Sequence, residues 1–242
     1  MKLSGLLKSE TPTYSLTLPI TQQKVTYRPF RVKEEKILLL ALEDGSEESL
    51  LRAGINLLES VCDNIESVGD LPICDFEYLF LNIRAKSVGE VCEPAINCPH
   101  TGKKSKAKVN LLEIKPPDTS KIKDRKLKLS DNVGITMKYP CINSLLNSDK
   151  VDTQTDKLIQ TIAQTIEEVW TPDASYKSDE HSLEDIVEFV EEMSTEDLTQ
   201  IMEFCESVPS LTHTVKYFII DEEKHTKEEY EITLRGLKDF FS

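Results

Sequence analysis

The hydrophobic period of this 242-residue chain keeps changing, and that limits the folds open to it. Stretches with helical spacing and stretches with strand alternation follow one another, each short and each bounded by turn residues. A chain patterned in this way reads as α+β, with helical-bundle elements and antiparallel β-hairpins or ribbons. No apolar run approaches the ~20 residues of a membrane span. Met1 to Glu10 offers only Leu6-Leu7 where a signal peptide needs ~7–15 apolar residues. The expectation is a cytosolic, soluble protein.

Tyr14 to Phe30 reads as a strand pair, with Leu16 and Leu18 alternating with Ser15 and Thr17 before the β-rich run Val25-Thr26-Tyr27. Lys33 to Leu42 is a short helix. Its run Ile37-Leu38-Leu39-Leu40-Ala41-Leu42 is apolar all round, which predicts burial on every side. Asp44-Gly45 ends it and Ser46 caps a second helix, striped by Leu50, Gly54, Leu57, Leu58 and Val61. A third helix starts near Pro72 with the stripe Phe76, Leu79, Phe80 and Ile83. Val88 to Ile114 reads as a β-hairpin with Asn97 to Gly102 at its tip, and Pro116 to Asp124 as a linker.

Lys126 to Met137 is extended, with a turn at Asp131-Asn132. Leu158, Ile159, Ile162, Ile166, Val169 and Trp170 predict one continuous helix. Ser182 with Asp185, and Ser194 with Asp197, resemble capping boxes, and each opens a short amphipathic helix. Together they predict an αα-hairpin. Thr214 to Ile220 and Tyr230 to Leu234 predict a β-hairpin across the charged turn Asp221 to Glu229. The expected division is an α+β part over 1–125 and a mainly helical, acidic part over 126–242.

Charge is unevenly distributed. Residues 1–164 hold 22 acids and 23 bases, whereas residues 165–242 hold 21 acids and 6 bases. A surface that repels phosphate argues against nucleic acid and suits docking onto a basic protein surface. The stretch from Lys103 to Lys128 opposes this trend with ten bases and three acids. It carries no aromatic residues for stacking on bases, so it reads as a solvated ribbon and linker.

The six cysteines are irregularly spaced, and free thiols in a reducing compartment are expected. The best metal candidate is Cys92, Cys98 and His100 at the hairpin tip, with Cys141 as a conceivable fourth ligand. Zinc prefers two close ligand pairs, and this spacing supplies only three local ligands. The structural reading of these residues is a turn without metal. Cys98 with His100 could also be read as a cryptic hydrolase pair, but no histidine stands in a recognisable signature with a cysteine. No Walker A, G-x-G-x-x-G, G-x-S-x-G or H-E-x-x-H pattern occurs, so no cofactor and no enzymatic activity are expected. Phe240 and Phe241 at the chain end would cost roughly 1.5–3 kcal/mol each if left in water. They predict either self-docking or partner binding.

Three blocks carry a resemblance. The first is Lys24-Val25-Thr26-Tyr27-Arg28-Pro29-Phe30, followed by Val32-Lys33-Glu34-Glu35-Lys36-Ile37-Leu38-Leu39-Leu40-Ala41-Leu42-Glu43. The second runs from Leu71-Pro72-Ile73-Cys74-Asp75-Phe76 through Ser87-Val88-Gly89-Glu90. The third is Leu234-Arg235-Gly236-Leu237-Lys238-Asp239-Phe240-Phe241. In this order they resemble the baseplate protein family of T-even-type contractile-tailed bacteriophages, which groups a baseplate hub component with a hub-assembly factor. Members of that family often carry Cys pairs on the ribbon after the Ser-Val-Gly-Glu block and again before the terminal Phe-Phe. Here Cys92 and Cys98 stand on the first ribbon, and Phe218 to Glu229 has none. The resemblance implies work on the baseplate hub through contacts with other hub and tail proteins. It places the chain in the host cytoplasm during assembly, or in the virion tail. A zinc-ribbon-like adaptor for a host or viral partner is the alternative. Neither reading involves nucleic acid, a membrane or a small-molecule substrate.

Overall fold

The computed structural model describes residues 11–148, 153–221, 226–236 and 239. In chain order the elements are β1 Tyr14–Thr17, β2 Lys24–Tyr27, α1 Val32–Asp44, α2 Glu47–Val61, β3 Cys62–Asp63, α3 Ile73–Ser87, β4 Val91–Cys92, β5 Ala95–Asn97, β6 Lys104–Lys106 and β7 Val109–Asn110. They continue with β8 Lys126–Lys128, β9 Gly134–Met137, α4 Ile142–Ser148, α5 Gln154–Thr165, β10 Ile166–Trp170, β11 Ser175–Lys177, α6 Leu183–Glu191, α7 Thr195–Ser207, β12 Thr212–Asp221 and β13 Thr226–Arg235. Every strand pair among the described residues is antiparallel. The α+β class with hairpins and ribbons is what the sequence predicts.

Two compact units form. One comprises Met1–Val68, Cys74–Pro117 and Ser210–Ser242, and the other Gly69–Ile73 and Asp118–Pro209. The C-terminal hairpin therefore belongs with the N-terminal segments. Ser105 on β6 donates to the Phe218 carbonyl of β12 at 2.8 Å. The expected partition into an α+β part over 1–125 and a mainly helical, acidic part over 126–242 stays a proposal.

In the first unit, α3 is buried nearly all round. Cys74, Asp75, Phe76, Glu77, Leu79, Phe80, Leu81, Ile83 and Ala85 are all inside. Burying Asp75 requires acceptor duty for both oxygens. Its Oδ1 accepts from the Ile20 N–H (2.7 Å), and its Oδ2 from the N–H (2.9 Å) and hydroxyl (2.8 Å) of Thr21. That clamp ties the turn after β1 to α3. At the other end, Ser87 Oγ accepts from the Phe30 N–H at 2.9 Å. Gly54 of α2 lets the Phe76 ring approach, since a Cβ there would lie 3.0 Å from Phe76 Cζ.

Helix α1 corrects an expectation. Only Glu34, Leu38 and Ala41 are buried, while Ile37, Leu39, Leu40 and Leu42 are exposed. Its inner face is turned by Glu34, which accepts from the Arg31 N–H (2.7 Å) and pairs with Arg28 (3.0 Å) and Lys33 (3.2 Å). Burial pushes this carboxyl up, and the Arg31 N–H, Arg28 and Lys33 outweigh burial and hold it below the usual range. The six-residue apolar run is wider than the face that packs inward. The expected hairpin of 88–114 is a broken ribbon, in which β4 pairs with β7 and β5 with β6.

In the second unit, a four-stranded sheet has the order β11-β10-β9-β8. Its core gathers Ile135, Met137, Ile162, Ala163, Ile166, Val190, Ile201 and Phe204. The single helix expected through Trp170 is corrected here. Helix α5 stops at Thr165, and Ile166–Trp170 becomes β10, paired with β9 and β11. The switch is local: the Thr165 hydroxyl donates to the Ile162 carbonyl (2.7 Å), and the Thr165 carbonyl accepts from the Lys138 N–H (2.6 Å). Ile166, Val169 and Trp170 fit a helical stripe and a strand equally well, and pairing with β9 decides between them. Trp170 then lies across Gly134, where an added Cβ would sit 2.1 Å from Cζ2. Both expected capping boxes are present, at Ser182 with Asp185 and at Ser194 with Asp197.

Two substitutions test this arrangement by urea unfolding. Asp75→Ala strips acceptors from two backbone N–H groups and should cost on the order of 3 kcal/mol. Gly134→Ala overpacks the Trp170 indole and should cost about 1–3 kcal/mol.

Candidate functional site

The residues singled out as possible metal ligands do not converge. Among the described residues, no group of three or more His, Cys, Asp or Glu is gathered in a way that could hold a metal ion. All six cysteines are free thiols. Cys92 is buried on β4 and lines a shallow groove with Leu39, Leu42, Arg84 and Val88. Cys141 lies in the second unit, its Sγ 3.1 Å from Ser144 Oγ. His100 stacks its ring on Tyr230, with centroids 5.4 Å apart. Only its backbone N–H addresses Cys98.

Cys98 has the most unusual setting. The turn closes through the Cys98 N–H to the Lys103 carbonyl (2.9 Å) and the Gly102 N–H to the Cys98 carbonyl (2.8 Å). Gly102 takes the left-handed backbone (φ 67°) that this turn requires. Burial pushes the Cys98 thiol up. The hydroxyls of Thr101 and Tyr217 and the N–H groups of His100 and Thr101 outweigh it and bring the thiol down to about 7. Tyr217 is buried on β12, and its hydroxyl has no nitrogen or oxygen partner among the described residues. Burial and the Cys98 sulfur push this phenol up to about 12. Thr101 stands three residues after Cys98, where a zinc knuckle carries its second cysteine. The arrangement supplies hydrogen-bond donors to a thiolate and ties the β5–β6 turn to β12.

Glu77 on α3 is the other displaced acid. Burial pushes its carboxyl up to about 7, against the Leu211 N–H, which pulls it down. Its Oε2 has no partner among the described residues.

The remaining features are surfaces. On the outside of α1 lie Val32, Leu39 and Leu40, the last two 53% and 54% exposed. On the second unit, an apolar groove of about 220 Å³ is lined by Ile166, Val169, Tyr176, Ile186 and Phe189, with His181 and Asp185 at its rim. It opens beside α6. Residues 178–215 contain eleven acids and no Lys or Arg. All of these acids but Asp197 are exposed. Phe240 and Phe241, expected to dock or to bind a partner, lie outside the described residues.

The family model described as T4 bacteriophage base plate protein matches residues 11–242. The chain belongs to that family. No curated protein and no solved structure matches it. This chain serves the baseplate hub or its assembly through protein–protein contacts. No helix among the described residues is long and apolar enough to cross a membrane.

The base plate family's blocks acquire physical meaning in the structure. Asp75, in the second block, clamps the turn after β1, and Glu34, in the first, seats α1. Sequence reasoning missed the groove on the second unit, because the spacing of Ile166 and Val169 predicts a helix. It also missed the Tyr217 hydroxyl as a donor to Cys98, since Tyr217 is remote in sequence. The turn residues from Asn97 to Gly102 were the only local signal.

Two titrations should appear in stability against pH, with opposite signs. The Cys98 thiol falls from an unfolded value near 9.0 to about 7. Its contribution is present above about pH 9 and is lost as pH falls through about 7. The melting-temperature difference between the chain and Cys98→Ser should shrink over that window. Glu77 rises from about 4.5 to about 7, so its contribution is complete below about pH 4.5 and is lost as pH rises through about 7. Glu77→Gln should therefore be neutral near pH 4.5 and stabilise by up to about 3 kcal/mol above pH 8.

Proposed function

We propose that this chain acts in the host cytoplasm during construction of the baseplate hub and grips basic, apolar segments of other hub or tail proteins with its second unit. One observation carries this reading: the Val169–Tyr176–Phe189 groove opens beside helix α6, whose acids Glu184, Asp185, Glu188 and Glu191 are all exposed. A desolvated apolar anchor provides affinity, while complementary charge steers the encounter and sets register. Nucleic acid is disfavoured by the same acidity. The chain performs no catalysis in this reading, and neither a metal nor a small molecule takes part. The Cys98 turn has a structural role, supported by Thr101 at the position where a second thiolate would stand. The zinc-adaptor alternative gains no such support. Phe240 and Phe241 provide an additional anchor, on the chain itself or on a partner.

The decisive experiment deletes the protein during infection. Incomplete baseplates and non-infectious particles are expected, and intact, infectious tails would sink the reading. Tyr176→Ala combined with Glu184→Lys and Glu188→Lys changes only exposed residues. These changes should abolish co-purification with hub proteins while leaving the circular dichroism spectrum unchanged. Truncation after Asp239 should weaken partner capture or lower the melting temperature. Mass spectrometry of purified virions then sorts the two roles, because a resident hub component persists there and an assembly factor does not.

A further inference from the structure

The outer face of α1 combines an uncovered apolar centre with a charge pattern that complements itself. At 100° per residue, the direction opposite the buried Glu34, Leu38 and Ala41 is occupied by Val32, Lys36, Leu39, Leu40 and Glu43. All five are exposed. Val32 is 80% exposed, the largest value among the exposed bulky hydrophobics described. Lys36 and Glu43 lie on one stripe, seven residues apart, so about 10 Å of helix axis separates them. That distance is too long for an ion pair between them, and neither has an ion-pair partner among the described residues. Leu39 and Leu40 sit midway between the two charges.

A stripe ordered cation, leucine pair, anion has a simple complement, which is the same stripe reversed. We propose that α1 is covered by α1 of a second copy of this chain, packed antiparallel across a two-fold axis that passes between residues 39 and 40. In that arrangement Lys36 of each copy meets Glu43 of the other, on both sides of the axis. Leu39 and Leu40 of the two helices interdigitate at the centre, and Val32 lies at the rim. A parallel pairing would set Lys36 against Lys36 and Glu43 against Glu43, so charge selects the isologous geometry. The groove of Leu39, Leu42, Arg84 and Val88 runs along one flank of this face. Exposed Val88 extends the apolar surface there.

One pair of 13-residue helices offers a contact of about 20 Å, smaller than a standard interface of roughly 1,600 Å². Association therefore belongs in the micromolar range, and the dimer dissociates on dilution. Exposed ion pairs are screened, so salt should loosen it. This inference concerns the first unit alone and stands apart from the groove on the second. The virion and co-purification experiments can fail without touching it.

Sedimentation equilibrium of the full chain is the test. At about 100 µM the mass should approach twice 27.5 kDa, and at about 1 µM it should return to 27.5 kDa. Leu40→Asp alters only an exposed residue and should leave a folded monomer at both concentrations. Lys36→Glu and Glu43→Lys should each weaken association at least about tenfold, because each creates two like-charge pairs. The double variant should associate like the parent. An equimolar mixture of the two single variants should also dimerise, since every cross-pair is then opposite in sign. A chain that stays at 27.5 kDa at about 200 µM would overturn the proposal. Single variants that dimerise as well as the parent, or a mixture that fails to recover association, would also overturn it. In the first case the face is free for another tail protein.

Discussion

A carboxylate taken out of water holds the first unit together. Asp75 is fully buried, and desolvation alone would make that burial costly. Both oxygens are committed to the turn after β1, which offsets part of that cost, and burial still pushes the carboxyl above its usual range. With Asp75 inside, α3 keeps the half-buried stripe of Tyr78, Asn82 and Lys86 toward solvent. Phe76, Leu79, Phe80 and Ile83 pack on one side, and Leu81 and Ala85 are covered too. The other displaced groups follow from the same economy. Glu77 is buried with one oxygen left over, and it is burial that holds its proton. Glu34 is buried with both oxygens engaged and stays ionised.

Seating α3 in the interior leaves α1 at the edge. Its apolar run outgrows the packing surface, and the excess becomes an outward face. The second unit leaves a groove open by a different route. There, α5 gives way to β10, and Val169 and Tyr176 end up on a hairpin facing Ile186 and Phe189 of α6. A protein that joins or builds a baseplate needs surfaces of this kind. In each unit the surface is a by-product of how the core closes.

Much of the local architecture is legible in the residues. Ser46, Ser182 and Ser194 mark helix starts because a cap acts within three residues. The pairing of β12 with β13 follows from two alternating segments around one turn. What could not be read depends on remote partners. The Cys98 thiol is lowered first by the Thr101 hydroxyl within its own turn and then by Tyr217 on β12, and only the second of these is remote. Asp75 and Glu77 look like a polar helix face until the turn after β1 and Leu211 close over them. Ile166 to Trp170 satisfies either period, and only β9 selects the strand.

By itself, then, the sequence determined the α+β class, the helix caps, the terminal hairpin, the acidic last third and the resemblance to contractile-tail baseplate proteins. All of these rest on residue type and short-range spacing. The tertiary structure alone decided which helix is central, which apolar residues stay outside, and which thiol is drawn toward the thiolate. Burial and pKa depend on every group packed around a side chain, and most of those groups come from distant parts of the chain.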